Sequence, residues 1–146
     1  MLRPALLRAY RETRYEIAGI AIRIGRRSVA MDRLLSSHSA REAVLITAYN
    51  PYSRIKPAGW NQRMQNRLAE AVRRTPAFPA RGSWRRWSEA HLLVFGDART
   101  ARRLAWRYRQ NGVIIVRLRQ PARLLLRAGL VRRARALSLM AGDALR

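Results

Sequence analysis

The chain has 146 residues, 49% apolar and 27% charged, a length and balance that suit one globular domain with a core of its own. Its 31 basic residues against 8 acidic ones give a net charge of +23, and Lys56 is the only lysine. The lack of cysteine excludes a disulfide scaffold, thiolate metal sites, iron–sulfur clusters and cysteine nucleophiles.

The N-terminal stretch carries Leu6, Leu7 and Tyr10 at helical spacing and predicts a short helix ending near Thr13. From Tyr15 to Ile24 the isoleucines at 20, 22 and 24 alternate with Ala21 and Arg23, as in a half-buried strand, and Gly25-Arg26-Arg27 turns the chain. Met31, Leu34 and Leu35 predict one or two helical turns. Ala43-Val44-Leu45-Ile46-Thr47-Ala48 reads as a strand covered on both faces, closed by Asn50-Pro51-Tyr52-Ser53. Trp60, Met64, Leu68 and Val72 recur every four residues and predict a helix that Thr75-Pro76 ends. Phe78-Pro79-Ala80 holds a proline, so as a strand it belongs at an edge.

Leu92-Leu93-Val94-Phe95 is a second buried strand, followed by Asp97 as a helix cap. Ala101, Leu104, Ala105 and Tyr108 form the apolar face of the next helix, and Val113-Ile114-Ile115-Val116 the last core strand. From Pro121 a helical stripe of Leu126, Leu130, Ala134 and Leu137 runs among arginines. The strand and helix order from Ala43 to Val116 is that of a ferredoxin-like βαββαβ sandwich. The expectation is therefore an α+β fold with an extra N-terminal strand and terminal helices. Residues 1–120 form the domain and residues 121–146 a basic helical extension.

This topology brings Thr47, Asn50, Asn61, Ser83, Glu89, Gln110 and Asn111 to one rim of the sheet, with Glu89 its only acid. Two readings of that rim stand side by side. In one, the amides satisfy turn and helix-end backbone groups. In the other, they converge on a polar ligand, with Glu89 as a general base whose pKa is set by burial beside Trp87 or by nearby arginines.

Thr47-Ala48-Tyr49-Asn50-Pro51, then Asn61, then Trp87-Ser88-Glu89, then Arg109-Gln110-Asn111-Gly112 follow in order. Together they resemble the bacterial family named domain of unknown function 3293, over roughly residues 9–118. Arg109 and Gly112 stand where that family usually has glycine and alanine, and Ala90 where proline is usual. The resemblance implies a location for a site and no assigned activity, so whether the chain is an enzyme stays open at this point.

The charge points to a second kind of partner. A domain this basic repels itself, and a polyanion relieves that repulsion. Trp106 on the second core helix is surrounded by Arg99, Arg102, Arg103 and Arg109. On a loop, Trp84 and Trp87 bracket Arg85 and Arg86. An aromatic ring among guanidinium groups suits base stacking with phosphate contacts, and low-specificity nucleic-acid binding is the leading expectation. An acidic protein is an alternative partner, and a small-ligand or enzymatic site at the Asn/Gln/Glu rim the alternative function. His38 and His91 lack ligand spacing, so no metal and no cofactor is expected. The N-terminus lacks a secretory apolar segment and no apolar run reaches the roughly 18 residues of a bilayer span, which makes the cytoplasm the expected location.

Overall fold

The computed structural model describes residues 3–127. In chain order the elements are helix α1 (Pro4–Glu12), strands β1 (Arg14–Ile17) and β2 (Ile20–Ile22), helix α2 (Val29–Ser37), strand β3 (Glu42–Ile46), helix α3 (Ala58–Ala71), strands β4 (Ala77–Trp84) and β5 (Trp87–Phe95), helix α4 (Ala98–Arg107), and strands β6 (Gly112–Arg117) and β7 (Arg123–Leu126). A single 3-10 turn, Pro51–Ser53, interrupts the loop between β3 and α3. The fold is α+β, with seven strands in one sheet of order β2-β1-β4-β5-β3-β6-β7, every adjacent pair antiparallel.

Alternation along the central strands sends side chains to two cores. Val44, Ile46, Val94, Val113 and Ile115 meet Leu68 and Val72 from the α3 segment and Leu104, Ala105 and Tyr108 from the α4 segment. Ala43, Leu45, Leu93, Ile114 and Val116 face the other way, toward Met31 and Leu35 of α2 and Tyr15, Ile17 and Ile22 of the N-terminal strands. Leu45, Leu68 and Leu93 are sealed from solvent; each such side chain contributes roughly 1.5–3 kcal/mol by leaving water. The continuous apolar runs of β3 and β6 follow from this two-sided cover.

The sheet curls around the α2 side. Beyond β2, Ile24 bridges to Ala122 just before β7, and the amides of Gly25 and Ala122 donate to Ala122 O (2.8 Å) and Arg26 O (3.1 Å). The chain segments next to the two outermost strands are thus joined. At one end of the concave face sits α2, started by Ser28, whose hydroxyl accepts from Met31 N (3.1 Å). Asp32 holds it there, accepting from Arg119 N (2.8 Å) and Arg27 Nε (3.1 Å). The other end of that face is covered by α1, whose Leu6, Leu7, Ala9 and Tyr10 are half-buried.

Several expectations are corrected. The single strand from Tyr15 to Ile24 is a hairpin, turned by Ala18 and Gly19 in the left-handed region (φ 49° and 78°). β4 is longer than Phe78-Pro79-Ala80 and is internal, because β1 pairs with it. β1 reaches only Ala80–Ser83, so Pro79 lies past the paired stretch on that side and costs no bond there. The helix expected from Pro121 does not begin there: residues 123–126 are a strand on the free edge of β6. Leu130, Ala134 and Leu137 lie outside the described residues. Among the described residues no helix is long and apolar enough to cross a membrane.

Candidate functional site

The loop after β3 is fixed by side chains that satisfy its backbone. Thr47 donates its hydroxyl to Ala90 O on β5 (2.7 Å) and accepts from Tyr49 N (3.0 Å). Gln65, buried on α3, accepts from Ala48 N (2.9 Å). The next polar residue, Asn50, sits in the left-handed region at φ 47°, a conformation asparagine tolerates better than most residues. Its amide reaches Glu89: Nδ2 donates to Oε1 at 2.8 Å.

Asn61 on α3 holds Asn50 from behind. Asn61 Oδ1 accepts from Asn50 N (3.0 Å), and Asn61 Nδ2 donates to Asn50 Oδ1 (2.9 Å), which also accepts from Lys56 N (2.9 Å). Asn61 is therefore no helix cap; α3 begins after Pro57. Gln110 donates to Tyr49 O (3.0 Å), Asn111 donates to Ser53 Oγ (2.9 Å), and Tyr52 N donates to Arg109 O (2.6 Å). The loop after β3 is thus tied to the turn between α4 and β6.

Glu89 is the chemical centre of the cluster. It is 6% exposed, and burial pushes its carboxyl up to about 7, with the Asn50 bond opposing the rise. Arginines do not depress it. Tyr10 of α1 rises to about 12, chiefly through burial and then through the nearby Glu89 charge; Tyr15 of β1 is raised for the same first reason. His91, two residues along β5, is lowered to about 4 by burial and stays neutral. Its Nδ1 lies 3.2 Å from Glu89 O, a spacing that places the proton on that nitrogen. A carboxyl that ionises near neutrality is able to give or take a proton at ordinary pH.

These groups face a cavity of about 300 Å³ between α1 and the concave face of the sheet. Leu45 and Ile114 form part of its floor, Leu6 and Ala9 its α1 side, and Trp84 and Trp87 stand at the β4–β5 hairpin. The indole of Trp84 donates to Glu12 Oε2 (2.8 Å), which fastens the end of α1 over the cavity. Ile55, 91% exposed, and half-exposed Trp87 stand between cavity and solvent. Among the described residues, no arginine or lysine lines the cavity.

Of the expected rim, Thr47, Asn50, Glu89 and Gln110 line the cavity, Asn61 supports it, and Asn111 braces its loop. Ser83 does not join them. Gly82, not Ser83, lies across from Glu89, so the Ser83 side chain leaves on the other face of β4. Sequence reasoning missed Tyr10 and Tyr15, which reach the site only through β1–β4 pairing and the placement of α1; His91, which it read as a core histidine, lines the cavity two residues along β5 from Glu89.

The expected Arg/Trp surface is divided. Trp84 lines the cavity with the Arg85 guanidinium 4.5 Å from its ring, and Arg85 and Arg86 form the exposed hairpin turn. Arg99, Arg102, Arg103, Trp106 and Arg109 belong to the α4 segment, which packs on the opposite face of the sheet. Trp106 is 56% exposed, but Arg127 already lies over its ring at 3.9 Å and beside Tyr52 at 4.8 Å.

Residues 46–113 match the model of the family described as a protein of unknown function (DUF3293). The chain resembles that family over the segment that carries Thr47, Asn50, Asn61, Glu89 and Gln110. The matched segment ends short of α1, β1 and β2, which supply Tyr10 and Tyr15. No curated protein and no solved structure matches the chain.

Proposed function

We propose that this chain binds a small organic molecule in the cavity between α1 and the concave face of its sheet, with Glu89 as the anchoring group. One observation carries the reading: a carboxyl is held in a partly enclosed, aromatic-lined space by a relay of amides, Asn61 to Asn50 to Glu89. Burying a carboxylate costs stability unless something compensates it, and a bound ligand supplies that compensation. The strand order β4-β5-β3-β6, with α3 and α4 on one face, supports a ferredoxin-like reading of the core, to which the N-terminal hairpin and β7 are additions.

Saturation-transfer NMR with phenol and indole tests the reading. Both probes should receive saturation from the wild-type chain, and Ala9→Trp, which fills the space beneath α1, should abolish it while circular dichroism stays unchanged. No transfer to either probe, or transfer indifferent to Ala9→Trp in a folded variant, overturns the assignment.

Polyanion binding by the exterior is a second and independent reading. It is supported by the net charge of +23 and by the exposed Arg85 and Arg86 of the β4–β5 turn. Filter binding to duplex DNA over a salt series tests it, because each phosphate contact should steepen the log–log slope by about 0.9. No retention at low salt removes it.

A further inference from the structure

Among the described residues, no arginine or lysine lines the cavity. His91 is neutral there, so among the described residues Glu89 is the one lining side chain that brings a full charge. A phosphate or carboxylate ligand would meet that charge with no cation to offset it in a poorly solvated space. An anion is the wrong occupant.

The carboxylate has unused capacity. Oε1 accepts one bond, from Asn50 Nδ2, and among the described residues no hydrogen bond reaches Oε2. An ionised carboxyl is an acceptor only, with room for about four donors on its two oxygens. Other polar groups nearby are occupied: Gln110 Nε2 donates to Tyr49 O and Ser53 Oγ accepts from Asn111 Nδ2. The ligand must therefore be the donor. Tyr10, Tyr15, Tyr49, Trp84 and Trp87 supply five aromatic rings to the lining, which favours a flat or cationic molecule of one or two rings.

We propose that the ligand presents two adjacent N–H donors on a planar N–C–N edge, as an amidinium or a 2-aminopyrimidinone does, to the two oxygens of Glu89. The proposal rests on the binding reading given above. The parallel donors match the fork of the carboxylate, the geometry by which guanidinium and carboxylate pair. Asn50 leaves a lone pair free on Oε1 and fixes the plane of the carboxyl. The other titratable groups facing Glu89 are Tyr10 from α1, Tyr15 from β1 and His91 on its own strand; all are uncharged near neutrality. Binding therefore follows the ionisation of Glu89 and strengthens as pH rises.

Calorimetric titration of the full chain with benzamidine, guanosine, adenosine and phenol tests this. Benzamidine or guanosine should bind, and about tenfold more tightly at about pH 8 than at about pH 6, because the free carboxyl ionises near 7. Adenosine, whose corresponding edge holds an acceptor beside its amine, should bind at least about tenfold more weakly than guanosine. Glu89→Gln should weaken the favoured probe by at least about tenfold and abolish its pH dependence. A preference for benzamidine identifies a cationic source of the edge, and a preference for guanosine a heterocyclic one; either supports the proposal. Phenol binding as tightly as both, or pH-independent binding, overturns the donor-edge assignment while leaving the cavity as a binding site. If phenol, benzamidine and guanosine all fail, both the proposal and the binding reading fall.

Discussion

Replacing Glu89 by glutamine removes a charge while preserving shape and an acceptor for Asn50 Nδ2. The carboxyl ionises near 7 in the folded chain against 4.5 for an unperturbed glutamate. A raised acid costs nothing below its unfolded value, where both states are protonated. The penalty then grows between pH 4.5 and about 7, because the unfolded chain gives up its proton first, and stays constant above that. At about 1.4 kcal/mol per pH unit, the full penalty is about 3 kcal/mol. Glutamine escapes it but brings an NH2 group that needs an acceptor, so the net gain above neutrality should be roughly 1–3 kcal/mol. For a chain of this size that is roughly 3–9 °C in Tm. Scanning calorimetry of both chains from pH 4.5 to about 8 reads it directly: Glu89→Gln should show no advantage, or be less stable by up to about 2 kcal/mol, at the acid end, and its advantage should rise with pH. An advantage that does not change with pH, or a variant less stable than wild type above neutrality, refutes the reasoning. The variant that gains stability is also the one expected to lose benzamidine, as happens where a site is kept at the expense of the fold.

Asn50→Ala should cost roughly 2–4 kcal/mol, since it removes the bonds to Glu89, Lys56 and Asn61 and leaves alanine in a left-handed conformation. Asn50→Gly should cost about 1 kcal/mol less, because only the conformational part is relieved; equal losses in urea titrations would contradict this. In Asn50→Gly the Glu89 carboxyl should titrate above 7, followed by carbon NMR, because its pKa-lowering donor is gone. Gly82→Ala should destabilise by roughly 1–3 kcal/mol, as its Cβ would stand 3.0 Å from the His91 ring and 3.1 Å from that of Tyr15, packed rings with little room to move. Trp84→Phe should cost about 1 kcal/mol and speed hydrogen exchange in α1, whose bond to the indole is lost; unchanged exchange would show that α1 is held by other contacts.

The parts of the fold legible in the sequence are those whose side chains serve a local pattern. Val113–Val116 and Ala43–Ile46 are continuously apolar because helices cover one face and the curled sheet's own concave core the other. The rim was legible because strand and helix ends fall on one side whatever the exact register. Ser83 shows the limit of that reasoning: a shift of one residue along β4 decides its face. The N-terminal hairpin was hidden because Ala18-Gly19 is a weak turn signal, marked only by the change of phase from Tyr15 and Ile17 to Ile20, Ile22 and Ile24. Leu124-Leu125-Leu126 suits helix and strand alike, and the open edge of β6 settles the choice. The aromatic walls carry no local signature, since Tyr15 and Trp87 meet only through pairing across the sheet and Tyr10 joins them only through the placement of α1.

The parallel bridge between Ile24 and Ala122 has a bearing on how copies of this chain treat each other. Outer strands with unpaired amides are templates on which a foreign strand can grow, and apolar stretches such as Val113–Val116 are good material for it. Here the outermost strands span three and four residues, and the segments beside them spend hydrogen bonds on each other. A visiting strand finds a short purchase at either margin, and mutual repulsion at +23 makes its approach harder still.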